Sequence, residues 1–145
     1  MQMQNIIQFV SSHPMLCSAW IILFITLLIN TLKGYLSKVK KITRAEATCL
    51  INQEGAVIID TRPYQDFCKG HLVNALNVNP VDIRNGILNN LAKYKYQPVI
   101  IVCTHGIHSR SSGEHLVKAG FQYIYTLQEG MNGWNNANLP LARFK

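Results

Sequence analysis

Apolar positions fall along this chain in three rhythms. The first is continuous: from Met15 to Leu32 run 18 uncharged, mostly apolar residues, MLCSAWIILFITLLINTL. As a helix at ~1.5 Å per residue this stretch spans about 27 Å, close to the ~30 Å of a bilayer's hydrocarbon layer. A secretory signal would carry a basic segment ahead of the apolar run and a small-residue cleavage site, and neither is present. A buried core helix is rarely apolar on every side. The stretch therefore reads as a retained transmembrane helix.

The second rhythm is a set of short apolar runs without alternation, which suits strands buried on both faces. These are Ala56–Ile59 and Pro98–Val102, with weaker runs at Ala75–Val78 and Tyr123–Leu127. The third is helical and fills the intervals. Thr43-x-x-Glu46 fits a capping box opening a helix that runs to about Asn52 and stops at Gly55. Pro63 suits the first position of a short helix ending at Gly70. Val81 to about Tyr94 reads as helical with a weak point at Asn85-Gly86. Ser109–Ala119 is stopped by Gly120, and Met131–Asn136 closes the series. Strands alternating with helices predict an α/β fold, a mostly parallel sheet flanked by helices on both faces, preceded by one N-terminal transmembrane helix. The expected divisions are a short N-terminal segment (1–14), the transmembrane helix (15–32), a basic juxtamembrane linker (33–42) and one globular domain (43–145).

Charge sharpens the membrane reading. The net charge of +7 is unevenly placed: residues 1–32 hold no Lys, Arg, Asp or Glu, whereas Lys33, Lys38, Lys40, Lys41 and Arg44 follow with no acid among them. Positions 45–145 are nearly balanced, with 9 bases against 7 acids. The excess is thus a local collar, and it does not point to a nucleic-acid partner. Positive charge stays inside, so the domain is expected in the cytoplasm, at the inner face of the membrane, and the N-terminus outside, with residues 15–44 in contact with lipid.

Four cysteines (Cys17, Cys49, Cys68, Cys103) form no CxxC pair and no Cys/His metal spacing, so neither a metal nor another cofactor is expected. Cys17 lies in the span, and Cys49 and Cys68 fall in helical patterns as small buried hydrophobes. Cys103 differs. It ends the strand Pro98–Val102 and opens the loop Thr104-His105-Gly106-Ile107-His108-Ser109, which runs into a helix start. A helix N-terminus has unpaired N–H donors and the positive end of the helix dipole, surroundings that favour thiolate over thiol. Cys103 is the candidate nucleophile, with Thr104–Ser109 as its anion-binding loop. A cysteine phosphatase loop needs an arginine six residues after the cysteine. Ser109 stands there and Arg110 falls one place late, which argues against that chemistry.

The ordered set Asp60-Thr61-Arg62, Gly70-His71, Cys103-x-x-Gly106-x-x-Ser109, Gly120-Phe121 and Glu129-Gly130-x-x-Gly133-Trp134 resembles the single-domain rhodanese (sulfurtransferase) family over about residues 43–140. The resemblance implies that Cys103 takes a sulfane sulfur from a donor such as thiosulfate, holds it as a persulfide and passes it to a nucleophilic acceptor. It gives Asp60, Arg62 and His71 structural places near the site. Active members of the family usually carry an arginine directly before the serine, where this chain has His108. That departure keeps a second expectation beside the enzyme: a catalytically weak or inactive module, tethered to recruit or regulate a membrane-protein partner.

Overall fold

The computed structural model describes residues 2–35 and 37–143; Met1, Leu36 of the expected linker and the last two residues of the expected domain lie outside them. The chain divides into two compact units, Met1–Ser37 and Lys38–Lys145.

The first unit is helical: α1 (Gln2–Ser12) and α2 (Pro14–Tyr35). Pro14 has no N–H, yet helical bonding continues around it through His13 N to Phe9 O and Cys17 N to His13 O, both 3.1 Å. Pro14–Leu32 has a mean hydropathy of 2.2 with none of it buried, so this one helix is long and apolar enough to cross a membrane. Ser18, Thr26 and Thr31 donate their hydroxyl protons to the carbonyls of Met15, Ile22 and Leu27 at 2.7–2.9 Å, so these polar groups are satisfied within the helix itself.

The second unit runs β1 (Val39–Ile42), α3 (Arg44–Glu54), β2 (Val57–Asp60), α4 (Tyr64–Lys69), β3 (Leu76–Asn77), α5 (Pro80–Arg84), a 3-10 turn (Ala92–Tyr94), β4 (Pro98–Val102), α6 (Ser109–Lys118), β5 (Tyr123–Leu127) and α7 (Gly130–Asn136). The five strands form one sheet in the order β1-β5-β4-β2-β3, and every pairing is parallel. The α/β expectation holds. Alternate strand positions feed two cores: Ile58, Ile100, Val102 and Leu127 pack with Met131 and Trp134 on one face, and Ile59, Val99, Ile101 and Ile124 with Leu116 and Phe121 on the other. After β2 the chain turns toward the first face, where Leu72 packs; after β4 it turns toward the second, where Leu116 of α6 packs. The two paths diverge between neighbouring strands, which opens a crevice at their carboxyl ends.

Three sequence expectations are corrected. Residues 39–42, read as linker, are the edge strand β1, paired with β5 from Val39–Ile124 to Ile42–Leu127. Lys40 and Lys41 point to solvent while Ile42 is buried, so the basic collar and the strand share the same residues. Val39 seats against Gly113 of α6, where an added methyl group would approach it to 3.0 Å. The stretch Val81–Tyr94 is not one helix: α5 ends at Arg84, Gly86 takes φ +75°, and only the 3-10 turn follows. All four cysteines are free, but Cys49 is exposed and Cys68 half-buried, not core hydrophobes. The capping box is present as read: the Thr43 hydroxyl accepts from the Glu46 amide while the Glu46 carboxylate accepts from the Thr43 amide at 2.7 Å.

Candidate active site

The strand β4 is buried along Val99–Val102, and its last step delivers Cys103, 5% exposed, to the carboxyl edge of the sheet. The chain then reverses through Thr104–His108 into α6. The amide of Gly106 donates to the Cys103 sulfur at 3.0 Å, so the loop closes over its own thiol. Gly106 reaches this geometry at φ +80°, where a side chain would be strained and would crowd the Leu127 carbonyl at 2.8 Å. Ser109 is fully buried, and its hydroxyl donates to the Gly106 carbonyl at 3.3 Å, pinning the far end of the loop to its middle. Among the described residues, Thr104, His105, Ile107 and His108 donate no backbone hydrogen bond to the rest of the chain. Their amides remain available to an anion in the loop.

The loop rests on the turn between β5 and α7. The amides of Met131 and Asn132 at the start of α7 donate to the carbonyls of Cys103 and Thr104 at 2.9 and 3.0 Å. A helix's first amides have no partners within the helix, and here the loop's carbonyls take two of them. Gly130 approaches so closely that a methyl group there would collide with the Cys103 carbonyl. Glu129, at φ +63°, sets up this approach. Arg44 fixes the turn from below, donating to the Gly133 carbonyl at 2.6 Å and pairing with the Glu129 carboxylate at 3.4 Å. Sequence reading identified the Glu129-Gly130 motif but not its service to the cysteine, nor Arg44, because both depend on contacts between distant segments.

The flanking residues form a rigid wall. Asp60 is fully buried and holds Arg62 through a close pair, Nη2 to Oδ2 at 2.7 Å; Arg62 also donates to the Gly70 carbonyl at 2.8 Å. The Asn77 amide donates to the carbonyls of Asp60 and Arg62. His71, 6% exposed, stacks on Phe67 with ring centroids 3.9 Å apart, and its backbone bridges Ala142. Its Nδ1 lies 2.9 Å from the Phe67 carbonyl. Asp60, Arg62 and His71 thus order the walls through their bonds to one another's segments.

The remaining loop side chains diverge. His105 and Ile107 are exposed, and His108 lines a separate hollow with Arg84 and His115 along α6. Arg110 pairs with Glu114 at 3.3 Å on the exposed face of α6, so it does not form a phosphate-holding fork beside Cys103. The arrangement is a buried thiol that accepts from one loop amide, with no side-chain cation paired to it among the described residues.

The chain belongs to the rhodanese-like domain family, whose model matches residues 43–137. It is 46% identical to the YibN protein of Escherichia coli K12 over 143 residues, covering 99% of this chain and all of that one. It is 30% identical over 96 residues to the thiosulfate sulfurtransferase GlpE of Vibrio cholerae, covering 66% of this chain and 87% of that protein. Among solved structures it resembles a rhodanese-like domain protein of Staphylococcus aureus, with a TM-score of 0.60 and 25% identity over 73% of this chain and 99% of that one.

Proposed function

We propose that this protein is a membrane-anchored sulfur carrier in which Cys103 is loaded as a persulfide and then discharged to an acceptor. The observation that supports the reading best is the 3.0 Å bond from the Gly106 amide to the Cys103 sulfur, inside a loop whose other amides are free to hold an anion. With thiosulfate as donor, the Cys103 thiolate attacks the outer sulfur. A new S–S bond forms at Sγ, the S–S bond of thiosulfate breaks, and sulfite leaves with the electron pair. The persulfide anion then lies among the loop amides, which stabilise the charge without a proton transfer. The apolar helix Pro14–Leu32 retains the chain in the bacterial inner membrane, and the lysines at positions 33, 38, 40 and 41 keep the domain on the cytoplasmic side.

Intact-mass measurement on the purified protein, after exposure to thiosulfate or an inorganic polysulfide, tests this directly. A gain of one sulfur that disappears in Cys103→Ser is the expected result; no gain from either donor with Cys103 reduced rejects the carrier. His108 favours a second reading. It occupies the position where active relatives usually carry arginine, yet it lines the hollow along α6 and not the loop interior. The domain would then be a tethered module recruiting a membrane-protein partner, and its cellular role would survive Cys103→Ser.

A further inference from the structure

Between α5 and α6 lies a hollow of about 310 Å³, and neither Cys103 nor residues 104–107 line it. Its walls are basic and hydroxylic: Arg84 comes from α5, and Ser111, Ser112 and His115 come from α6, with His108 at the rim. Among the described residues no carboxylate lines it; Asp82 and Glu114 lie outside, and Glu114 is paired with Arg110. The Arg84 side chain makes no ion pair or hydrogen bond among the described residues, so its guanidinium is uncompensated. Ser112 is only 7% exposed, and its hydroxyl makes no hydrogen bond within the chain. A helical hydroxyl ordinarily satisfies itself on the carbonyl one turn back, as Thr26 and Thr31 do in α2. No fully buried side-chain oxygen of the described residues lacks a partner, so the Ser112 hydroxyl reaches the surface, and the surface it reaches is the hollow. His115 adds direction. Its Nδ1 lies 2.8 Å from the Ser111 carbonyl, which can only accept, so Nδ1 carries a proton and Nε2 is the ring's open nitrogen.

A planar guanidinium fork, two hydroxyls and an imidazole offer more contacts than the two oxygens of a carboxylate can use, and they suit the three terminal oxygens of a phosphate. A hollow at the lower end of the ~300–1,000 Å³ of small-ligand sites takes a phosphate and the first atoms of its ester. We infer that this hollow binds a phosphate monoester, gripped by the Arg84 guanidinium and the Ser111 and Ser112 hydroxyls, with His115 against a remaining oxygen. Phosphate monoesters titrate near pH ~6, so close to neutrality one proton is shared between Nε2 and a phosphate oxygen. Sulfate brings no such proton and binds less well. The same chemistry belongs to a lipid headgroup and to a soluble phosphate, and it is independent of sulfur transfer at Cys103.

The test is calorimetry on the full chain in maltoside micelles near neutral pH. The probes are inorganic phosphate, sulfate, and the short-chain lipids dihexanoyl phosphatidic acid and dihexanoyl phosphatidylcholine. Phosphate is expected to bind several-fold tighter than sulfate. Arg84→Gln should weaken it about tenfold, the worth of one charge-assisted bond, and Arg84→Lys should recover part of the loss. Ser112→Ala should weaken it too, whereas Arg110→Gln, whose guanidinium is held by Glu114, should leave it unchanged. Phosphatidic acid binding tighter than inorganic phosphate, with phosphatidylcholine silent, supports the site and assigns it to a headgroup. Inorganic phosphate binding as tightly as phosphatidic acid supports the site and assigns it to a soluble ligand. Absence of binding by both phosphate and phosphatidic acid would overturn the inference. So would sulfate binding as tightly as phosphate, phosphatidylcholine matching phosphatidic acid, or an affinity unchanged in Arg84→Gln. Sulfur loading of Cys103 from thiosulfate should be the same in Arg84→Gln as in the native protein; loading lost in that variant would make the hollow part of the donor site and overturn the inference as well.

Discussion

A methyl group added at Gly130 would collide with the Cys103 carbonyl and come within 2.6 Å of the Gly106 amide nitrogen, in a backbone conformation (φ +57°) that side chains rarely adopt. The obstacle is backbone on both sides, so no rotamer change relieves it. Gly130→Ala should cost at least about 2 kcal/mol and displace the loop that holds the thiol. The expected outcome is a lower urea midpoint together with sulfur loading reduced tenfold or more, read by intact mass. Asp60→Asn should act differently. It leaves the Arg62 guanidinium, 8% exposed, without its counter-charge, and breaking such a buried pair costs about 3–5 kcal/mol. Its urea midpoint should fall further than that of Asp66→Asn, whose pair with Lys69 is exposed and whose loss should be nearly silent.

Elements whose stability is written in adjacent residues were legible in the sequence. The capping box before α3 is one case, and the buried runs of β2 and β4 are another. What escaped was set by distant partners. Val39-Lys40-Lys41-Ile42 reads as basic linker because two of its four residues are lysines. It becomes a strand only through the β5 edge and the bare face of α6 at Gly113. Val81–Tyr94 failed for the opposite reason: its local pattern favours helix, but Gly86 turns the chain back at φ +75° and the backbone follows. A chain starting at Thr43 should therefore expose the edge of β5 and aggregate or unfold at lower urea than one starting at Lys38, as light scattering and urea titration would show. The capping box also predicts a pH dependence. Hydrogen bonds from the Thr43 amide and hydroxyl hold the Glu46 carboxyl below its ordinary 4.5, so its contribution is present above that pH and is lost as pH falls through the lower, folded-state value. The stability advantage of the native protein over Glu46→Gln should be visible at neutral pH and vanish in acid.

At the scale of the whole molecule, the candidate site was legible as a cysteine at a strand end followed by a glycine loop. Its support was not, since Arg44, Glu129 and Gly130 meet beneath the loop from segments 85 residues apart in the sequence. The apolar helix was legible because crossing a bilayer would demand a property of one continuous segment, and Pro14–Leu32 is long and apolar enough to meet it. The proposed orientation of that helix rests on the four lysines at positions 33, 38, 40 and 41, because Arg44 is occupied within the domain by Gly133 and Glu129. Cys49 offers a reporter: it is exposed on α3, whereas Cys103 is buried. A membrane-impermeant maleimide should leave Cys49 unlabelled in spheroplasts with intact inner membranes and label it once that membrane is opened. Replacing the four lysines with glutamine and adding lysines within residues 1–12 should reverse the pattern, because short flanking loops orient a span by their positive charge. Labelling of the native chain in intact spheroplasts would instead place the cysteine loop outside the cytoplasm and remove the reason for expecting a reduced thiol there.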